Sequence, residues 1–298
     1  MPFDVQDLFK VDGLVVVITG GGTGLGKIMA LALAANGARK IYILGRRREP
    51  LEDTASKYPA IIRPIVADVT DKTSLRNAAV QIKSETGYVN VVIANAGIIA
   101  ESTRARLWEL NQDTDIRKGP RTFNADMSAD ELSEYLMDTP MDEFLETYKI
   151  NAAGVFYTIA AFVGLLDAGN RKGNVSQKSQ VVAIGSVAGQ SRAVSCGYAY
   201  GMSKAAMALL MKQMMAVLTV HGIRGNMIAS GCFPTEIIGE LPRVDLTVVG
   251  TFQPEYIPLC RAGKEDEMAG TILYLTSKAG GYVNGHVLAL DGGQSSVF

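Results

Sequence analysis

Thr19-Gly20-Gly21-Gly22-Thr23-Gly24-Leu25-Gly26 is the stretch on which the fold of this chain turns. It closes a continuous apolar run, Leu14 to Thr19, and opens a helical pattern at 24 to 36, so it reads as the link between a buried strand and a helix. Glycine there allows a tight turn, lets backbone N–H groups approach a pyrophosphate and aims a helix N-terminus at its charge. Lys27 is followed by Ile28, which excludes a GxxxxGK(S/T) phosphate loop, and Gly20, Gly24 and Gly26 give GxxxGxG in place of GxGxxG. A glycine turn without a ligand is the plainer alternative. The strand before it and the helix after it favour a dinucleotide cradle made of Gly20, Thr23, Gly24, Leu25 and Gly26.

Outward from this turn, β-type and α-type segments alternate, with no internal repeat and no low-complexity linker. Apolar runs at Leu14 to Thr19, Ile41 to Leu44, Ile61 to Val66, Val89 to Ala94, Gln180 to Ile184, Gly225 to Ala229 and Val287 to Leu290 predict seven strands buried on both faces. Helical stretches lie near 24 to 36, 47 to 57, 72 to 86, 141 to 168, 200 to 221 and 264 to 277. The expected fold is α/β: a doubly wound seven-stranded parallel sheet in three α/β/α layers, one domain over 1–298. Residues 101–140 break the rhythm with nine acids and five bases directly after the fourth strand. This insertion leaves the sheet at its carboxyl edge, where open α/β sheets bind ligands, and reads either as a lid or as solvated decoration. Trp108, Leu110, Phe123, Leu132, Tyr135 and Leu136 are its candidate apolar anchors.

Composition narrows the partners. Forty-eight per cent hydrophobic content across 298 residues supports a large core and excludes a disordered chain. Twenty-nine basic against 30 acidic residues leave a net charge of −1, with no field to attract nucleic acid or an anionic bilayer. A small molecule is the expected partner. Apolar stretches such as Ile159 to Leu166 fall short of the ~20 residues of a membrane span, and the N-terminal MPFDVQDLFKVDG does not read as a secretory signal. Cys196, Cys232 and Cys260 lack CxxC spacing, which suggests free thiols, a cytoplasmic setting and no metal site.

TGGGTGLG at the first turn is similar to the cofactor signature of the short-chain dehydrogenase/reductase family, and further matches stand in that family's order. They are Asp68 in ADVTD, Asn95-Ala96-Gly97, Asn151 in INAAGVF, Gly185-Ser186, Tyr200-Gly201-Met202-Ser203-Lys204 and Asp291-Gly292-Gly293. The resemblance covers nearly the whole chain outside the insertion and implies a Rossmann-type fold. It also implies that Asp68 and Val69 flank an adenine, that Asn95, Ala96, Gly97, Gly231 and Thr235 border the dinucleotide, and that Lys204 binds the nicotinamide ribose. By the same resemblance, Asn151 holds a water that links Lys204 to solvent, and the protein is a homodimer or homotetramer built partly on the 200 to 221 helix. Two departures stand out: Ala94 for the first asparagine of NNAG, and Ser230-Gly231 for Pro-Gly, which leaves the nicotinamide-side loop less rigid.

The chemistry of the constellation follows from the residue types. Reducing a ketone needs a hydride donor and an acid that protonates the developing alkoxide. Tyrosine, with a pKa of ~10, serves only if a nearby cation stabilises its phenolate. Lys204 lies four residues after Tyr200 on one helix face, whereas Tyr198 is followed at that spacing by the uncharged Met202. Tyr200 is therefore the candidate acid, and Ser186 at the end of the fifth strand is a candidate donor to the substrate oxygen. Singly, these residues would be packing aromatics, a turn serine and a helix-kink asparagine.

After the second strand, Gly45-Arg46-Arg47-Arg48 stands where an acid would accept bonds from a ribose 2′-hydroxyl, so NADP(H) is favoured, with Arg46 the foremost contact and Arg47 beside it. A solvated arginine run is the alternative. The methionines at 207, 211, 214 and 215 read as core or subunit contact, and His221 and His286 as structural. Two functions remain: a redox enzyme acting on a carbonyl or secondary alcohol, or a dinucleotide-binding protein with a regulatory or non-redox role such as dehydration or cyclisation.

Overall fold

The computed structural model describes residues 3–105, 127–192, 194, 196–238 and 245–297. Its strands are β1 (Val15–Thr19), β2 (Lys40–Gly45), β3 (Ile62–Val66), β4 (Val91–Ala94), β5 (Gln180–Ser186), β6 (Arg224–Ser230) and β7 (Val287–Leu290). All pair in parallel, in the order β3-β2-β1-β4-β5-β6-β7. The chain thus reverses its direction of winding between β1 and β4, which opens a crevice at their carboxyl ends. All seven expected strands are present, though burial on both faces holds only for the inner five. β3 and β7 form the sheet edges and are partly exposed.

The layers follow from the two-residue period of a strand. Val15 and Val17 face one cluster with Ile159, Phe162, Met207 and Met211. Val16 and Ile18 face the other, with Met29, Leu33, Met268 and Ile272. Helices α1 (Val5–Phe9), α2 (Gly24–Ala35), α3 (Arg48–Ser56), α4 (Lys72–Glu85), α5 (Ala129–Met137), α6 (Met141–Tyr148), α7 (Gly154–Lys172), α8 (Tyr198–Leu218) and α9 (Glu265–Thr276) complete the described elements. Burial of a side chain such as Phe162 contributes roughly 1.5–3 kcal/mol, which is why alternating apolar strands fix the register so firmly.

Three details differ from the sequence expectations. The predicted helix over 141 to 168 is split by one π-helical turn, Lys149–Ala153, and continues to Lys172, where Gly173 caps it at φ 60°. The insertion contains a helical turn at 101–105 and the capped helix α5, whose Ser128 and Glu131 bond each other's backbone. Trp108, Leu110 and Phe123 lie outside the described residues, Leu132 and Tyr135 are half-buried, and Leu136 is exposed. Finally, 141–172 and 198–221 are each long and apolar enough to cross a membrane by length and composition, contrary to the expectation from short runs. Both place Phe162, Leu166, Met207 and Met211 in the core against the sheet, as core helices of this class do.

Candidate dinucleotide and catalytic site

The glycine turn is built around close approach. Gly20 and Gly24 sit at φ 68° and 52°, where side chains are strained. A Cβ on Gly26 would lie 2.1 Å from the Gly20 carbonyl oxygen and 2.6 Å from Asn95 Nδ2, so only glycine lets α2 settle onto the turn. Thr19, the first residue of the stretch, is the hub. Its hydroxyl accepts from the Asn95 and Ala96 backbone N–H groups at 3.0 and 3.1 Å, and Asn95 Nδ2 returns bonds to the Thr19 and Gly20 carbonyls. The turn after β1 is thereby locked to the segment after β4 across the crevice. Thr23 makes no side-chain cap to α2, and Thr235 stands over Gly24, 3.4 Å from where its Cβ would be.

A second network gathers at the end of β5. The wide π-turn directs the fully buried Asn151 amide at Ile98: Oδ1 accepts from the Ile98 N–H at 2.8 Å, and Nδ2 donates to the Ile98 carbonyl at 2.9 Å and to Ser203 Oγ at 3.0 Å. Ser203 in turn donates to the Tyr200 carbonyl at 2.7 Å. Gly97 passes between Asn151 and Lys204, and a Cβ there would lie 3.2 Å from Asn151 Oδ1 and 3.4 Å from Lys204 Nζ. Lys204 Nζ donates to the Ile184 carbonyl at 2.9 Å and stands 5.5 Å from the Tyr200 ring centre. Tyr200 is 9% exposed, whereas Tyr198 is 41% exposed.

The electrostatics of this cluster are set by burial. Desolvation holds the Tyr200 phenol above its ordinary range, Cys196 adds to that, and a hydrogen bond with Ser186 pulls the other way. Burial draws the Lys204 ammonium down to about 8. The Ser186 hydroxyl also accepts from the Ala188 N–H at 3.2 Å, which fixes it at the strand end.

On the adenosine side, Gly45 ends β2 and the two arginines diverge. Arg46 is exposed and makes no hydrogen bond or ion pair among the described residues, though its charge reaches Asp68. Burial opposes ionisation of Asp68, but bonds from the Thr70 N–H and hydroxyl, both at 2.8 Å, together with Arg46 and Lys149 hold its carboxyl below the usual range. Arg47 is engaged elsewhere: its Nη2 donates to Glu236 Oε2 at 2.9 Å and to Thr23 Oγ1 at 3.5 Å. Val69 packs on Gly154 with Leu75 and Ile150.

Residues 14–118 match the family model described as short chain dehydrogenase, and residues 123–295 match that described as Enoyl-(Acyl carrier protein) reductase. The short-chain dehydrogenase/reductase PhomF of Diaporthe leptostromiformis is 39% identical over 98% of this chain and 94% of its own. This chain belongs to the short-chain dehydrogenase/reductase family. Another relative, the rhamnolipids biosynthesis 3-oxoacyl-[acyl-carrier-protein] reductase of Pseudomonas aeruginosa, is 28% identical over 96% of this chain and 97% of its own. Among solved structures, the Pseudomonas aeruginosa RhlG/NADP active-site complex superposes with a TM-score of 0.75, 26% identity and coverage of 97% and 99%. A gluconate 5-dehydrogenase from Burkholderia cenocepacia in complex with NADP and tartrate gives 0.75 and 26%, covering 99% and 100%.

In this short-chain dehydrogenase/reductase, Ser230, which stands where proline is usual, is tethered at the end of β6: its hydroxyl donates to the Gly185 carbonyl at 3.2 Å. The Gly231 N–H bonds the Leu290 carbonyl at 2.9 Å, and the Gly263 N–H bonds the Cys232 carbonyl at 2.9 Å. The Ser230 hydroxyl is thus a side-chain tether where proline would supply a fixed φ. Beyond it, Cys232 packs on a small cluster of Leu246, Phe252, Tyr256, Ile257 and Ala262. Burial, with Cys196 adding to it, pushes the Cys232 thiol up to about 12, which disfavours its thiolate at neutral pH. No local sequence signal marks Glu236 as part of the site, because its partner Arg47 lies 189 residues away.

Proposed function

We propose that this chain is an NADP(H)-dependent oxidoreductase that interconverts a carbonyl and a secondary alcohol on a small organic substrate, working as a ketoreductase. The observation that carries the reading is the convergence of Ser186, Tyr200, Lys204 and Asn151 at the carboxyl end of β5, beside the crevice at β1 and β4. The dinucleotide, when bound, supplies the hydride. Ser186 donates a hydrogen bond to the substrate oxygen as negative charge develops there. Tyr200 transfers its proton to that oxygen; burial keeps the phenol protonated at neutral pH, which suits an acid in the reducing direction. Lys204, mostly cationic below pH 8, leaves the Ile184 carbonyl to stabilise the phenolate and hold the nicotinamide ribose, and Asn151 lets a water return the proton.

The cradle fits a dinucleotide. Gly20, Thr23, Gly24, Leu25 and Gly26 expose backbone at a helix start, Asn95, Ala96 and Gly97 form the crevice floor, and Gly231 and Thr235 cover the nicotinamide side. Asp68 and Val69 flank the adenine, and the unpaired Arg46 favours a 2′-phosphate, as do the NADP complexes of the two structural neighbours. The ketone substrate finds support in the 3-oxoacyl reductase relative. We place the enzyme in the cytoplasm as a homo-oligomer, one domain long, with Tyr198, Met202, Leu209 and Val217 on the exposed face of α8, and Val220 in the turn after it, as its contact. Turnover on a panel of ketones with NADPH and with NADH tests the reading. Reduction that prefers NADPH is the expected result, and tight dinucleotide binding without any turnover would turn the assignment toward a regulatory or non-redox role.

A further inference from the structure

We propose that Arg47 and Glu236 form a clasp across the dinucleotide cleft that retains the bound cofactor, leaving Arg46 to read the 2′-phosphate; this rests on the dinucleotide reading above. The two residues are 189 positions apart and approach from opposite sides of the crevice. Arg47 stands at the start of α3, after β2, while Glu236 opens the short 3₁₀ turn Glu236–Ile238 after β6. In the sheet order, β2 lies beyond β1 and β6 beyond β4 and β5, so the pair spans the point where the winding reverses. Beneath it lie the pyrophosphate turn and its cover: Arg47 Nη2 also reaches Thr23 Oγ1, and Thr235, adjacent to Glu236, stands over Gly24.

Charge decides between the two arginines. Arg47 already has an anionic partner at 2.9 Å, and a phosphate would have to compete with it. Arg46 makes no ion pair among the described residues and feels only the longer-range charge of Asp68, so it meets a phosphate at smaller cost. The clasp carries no 2′-phosphate specificity, and NADPH and NADH pass beneath it alike. Its side chains are 66% and 62% exposed, so it is a weak, salt-sensitive tie worth roughly a two- to fivefold change in a rate.

Stopped-flow displacement tests this by following release of NADPH and, separately, of NADH from the full-length parent, Arg47→Gln, Glu236→Gln, the double variant and the charge swap Arg47→Glu/Glu236→Arg. Both single variants are expected to speed release of both dinucleotides by roughly two- to fivefold at low salt. The double variant should be no faster than either single one, the swap should return toward the parent, and all differences should shrink on adding about 0.5 M KCl. Unchanged release in Glu236→Gln, or tighter binding of NADPH alone, would overturn the clasp and make Glu236 a competitor of the phosphate. Faster release of NADPH alone in Arg47→Gln would overturn it too, by making Arg47 a phosphate reader. A parent that binds neither dinucleotide overturns the cofactor reading and the clasp together, whereas a parent that binds with variants that behave identically to it overturns the clasp alone.

Discussion

The segment from Leu14 to Gly97 and the segment from Gly231 to Ala262 border the same crevice, yet they are specified in opposite ways. The first is dictated by backbone: Gly20 and Gly24 need positive φ, Gly26 needs the absence of a Cβ, and Thr19 and Asn95 bond main-chain groups. The second rests on side-chain meetings, such as Glu236 with Arg47 and Cys232 against Tyr256. Backbone constraints leave a compact signature in the chain; side-chain meetings leave none. The first half is therefore readable in the sequence, and the second is not.

The largest expected effect lies where the halves meet. Tyr200→Phe should keep dinucleotide affinity while turnover falls by about 10²-fold or more, the usual contribution of a general acid. Steady-state rates beside cofactor titration check this, and a variant as active as the parent would remove Tyr200 from the chemistry. Asn151→Ala leaves the part-buried Ile98 N–H and carbonyl without their side-chain partner, at up to about 1–3 kcal/mol for each group orphaned. Urea unfolding should show that loss. A loss of turnover at unchanged stability would instead make Asn151 a proton-path residue with little structural part.

Gly26→Ala probes the backbone-written half directly, since its Cβ would meet the Gly20 carbonyl oxygen at 2.1 Å. Overpacking of about 1–3 kcal/mol and weakened dinucleotide binding are expected. If alanine were tolerated, measured by melting and by cofactor titration, the claim that close approach specifies this turn would fail.

Lys204 supplies a pH test. Its folded-state pKa of about 8 lies below the ordinary value of 10.5, so between those limits the unfolded chain binds the proton that the folded one has released. The parent should gain stability from this group as pH rises from 8 to 10.5. Lys204→Met lacks that gain, so its melting temperature relative to the parent should fall across the same window, and a constant difference would contradict the burial of a titrating amine.

The smallest effect belongs to an exposed charge. Arg46→Gln should weaken NADPH by about fivefold and leave NADH unchanged, because one solvent-exposed ionic contact contributes about 1 kcal/mol. Equal losses for both dinucleotides would move the 2′-phosphate site away from the end of β2.

By itself the sequence determined the seven strands and their parallel alternation, because buried strands must be apolar throughout and helices must repeat near 3.6 residues. It also made legible the glycine turn and the nearness of Tyr200 to Lys204, since both depend on spacings within a few residues. Only the tertiary structure decided the rest. The π-turn at Lys149–Ala153 has no distinctive composition, yet it aims Asn151 at Ile98, and the edge exposure of β3 and β7 depends on strand order, not on strand sequence. Arg46 and Arg47 are neighbours of the same type in the chain; what distinguishes them is Glu236, brought beside Arg47 by the winding of β6 around the sheet. Local spacing writes itself into a chain because the atoms involved are covalently close, whereas a partner 189 residues away is chosen by packing alone.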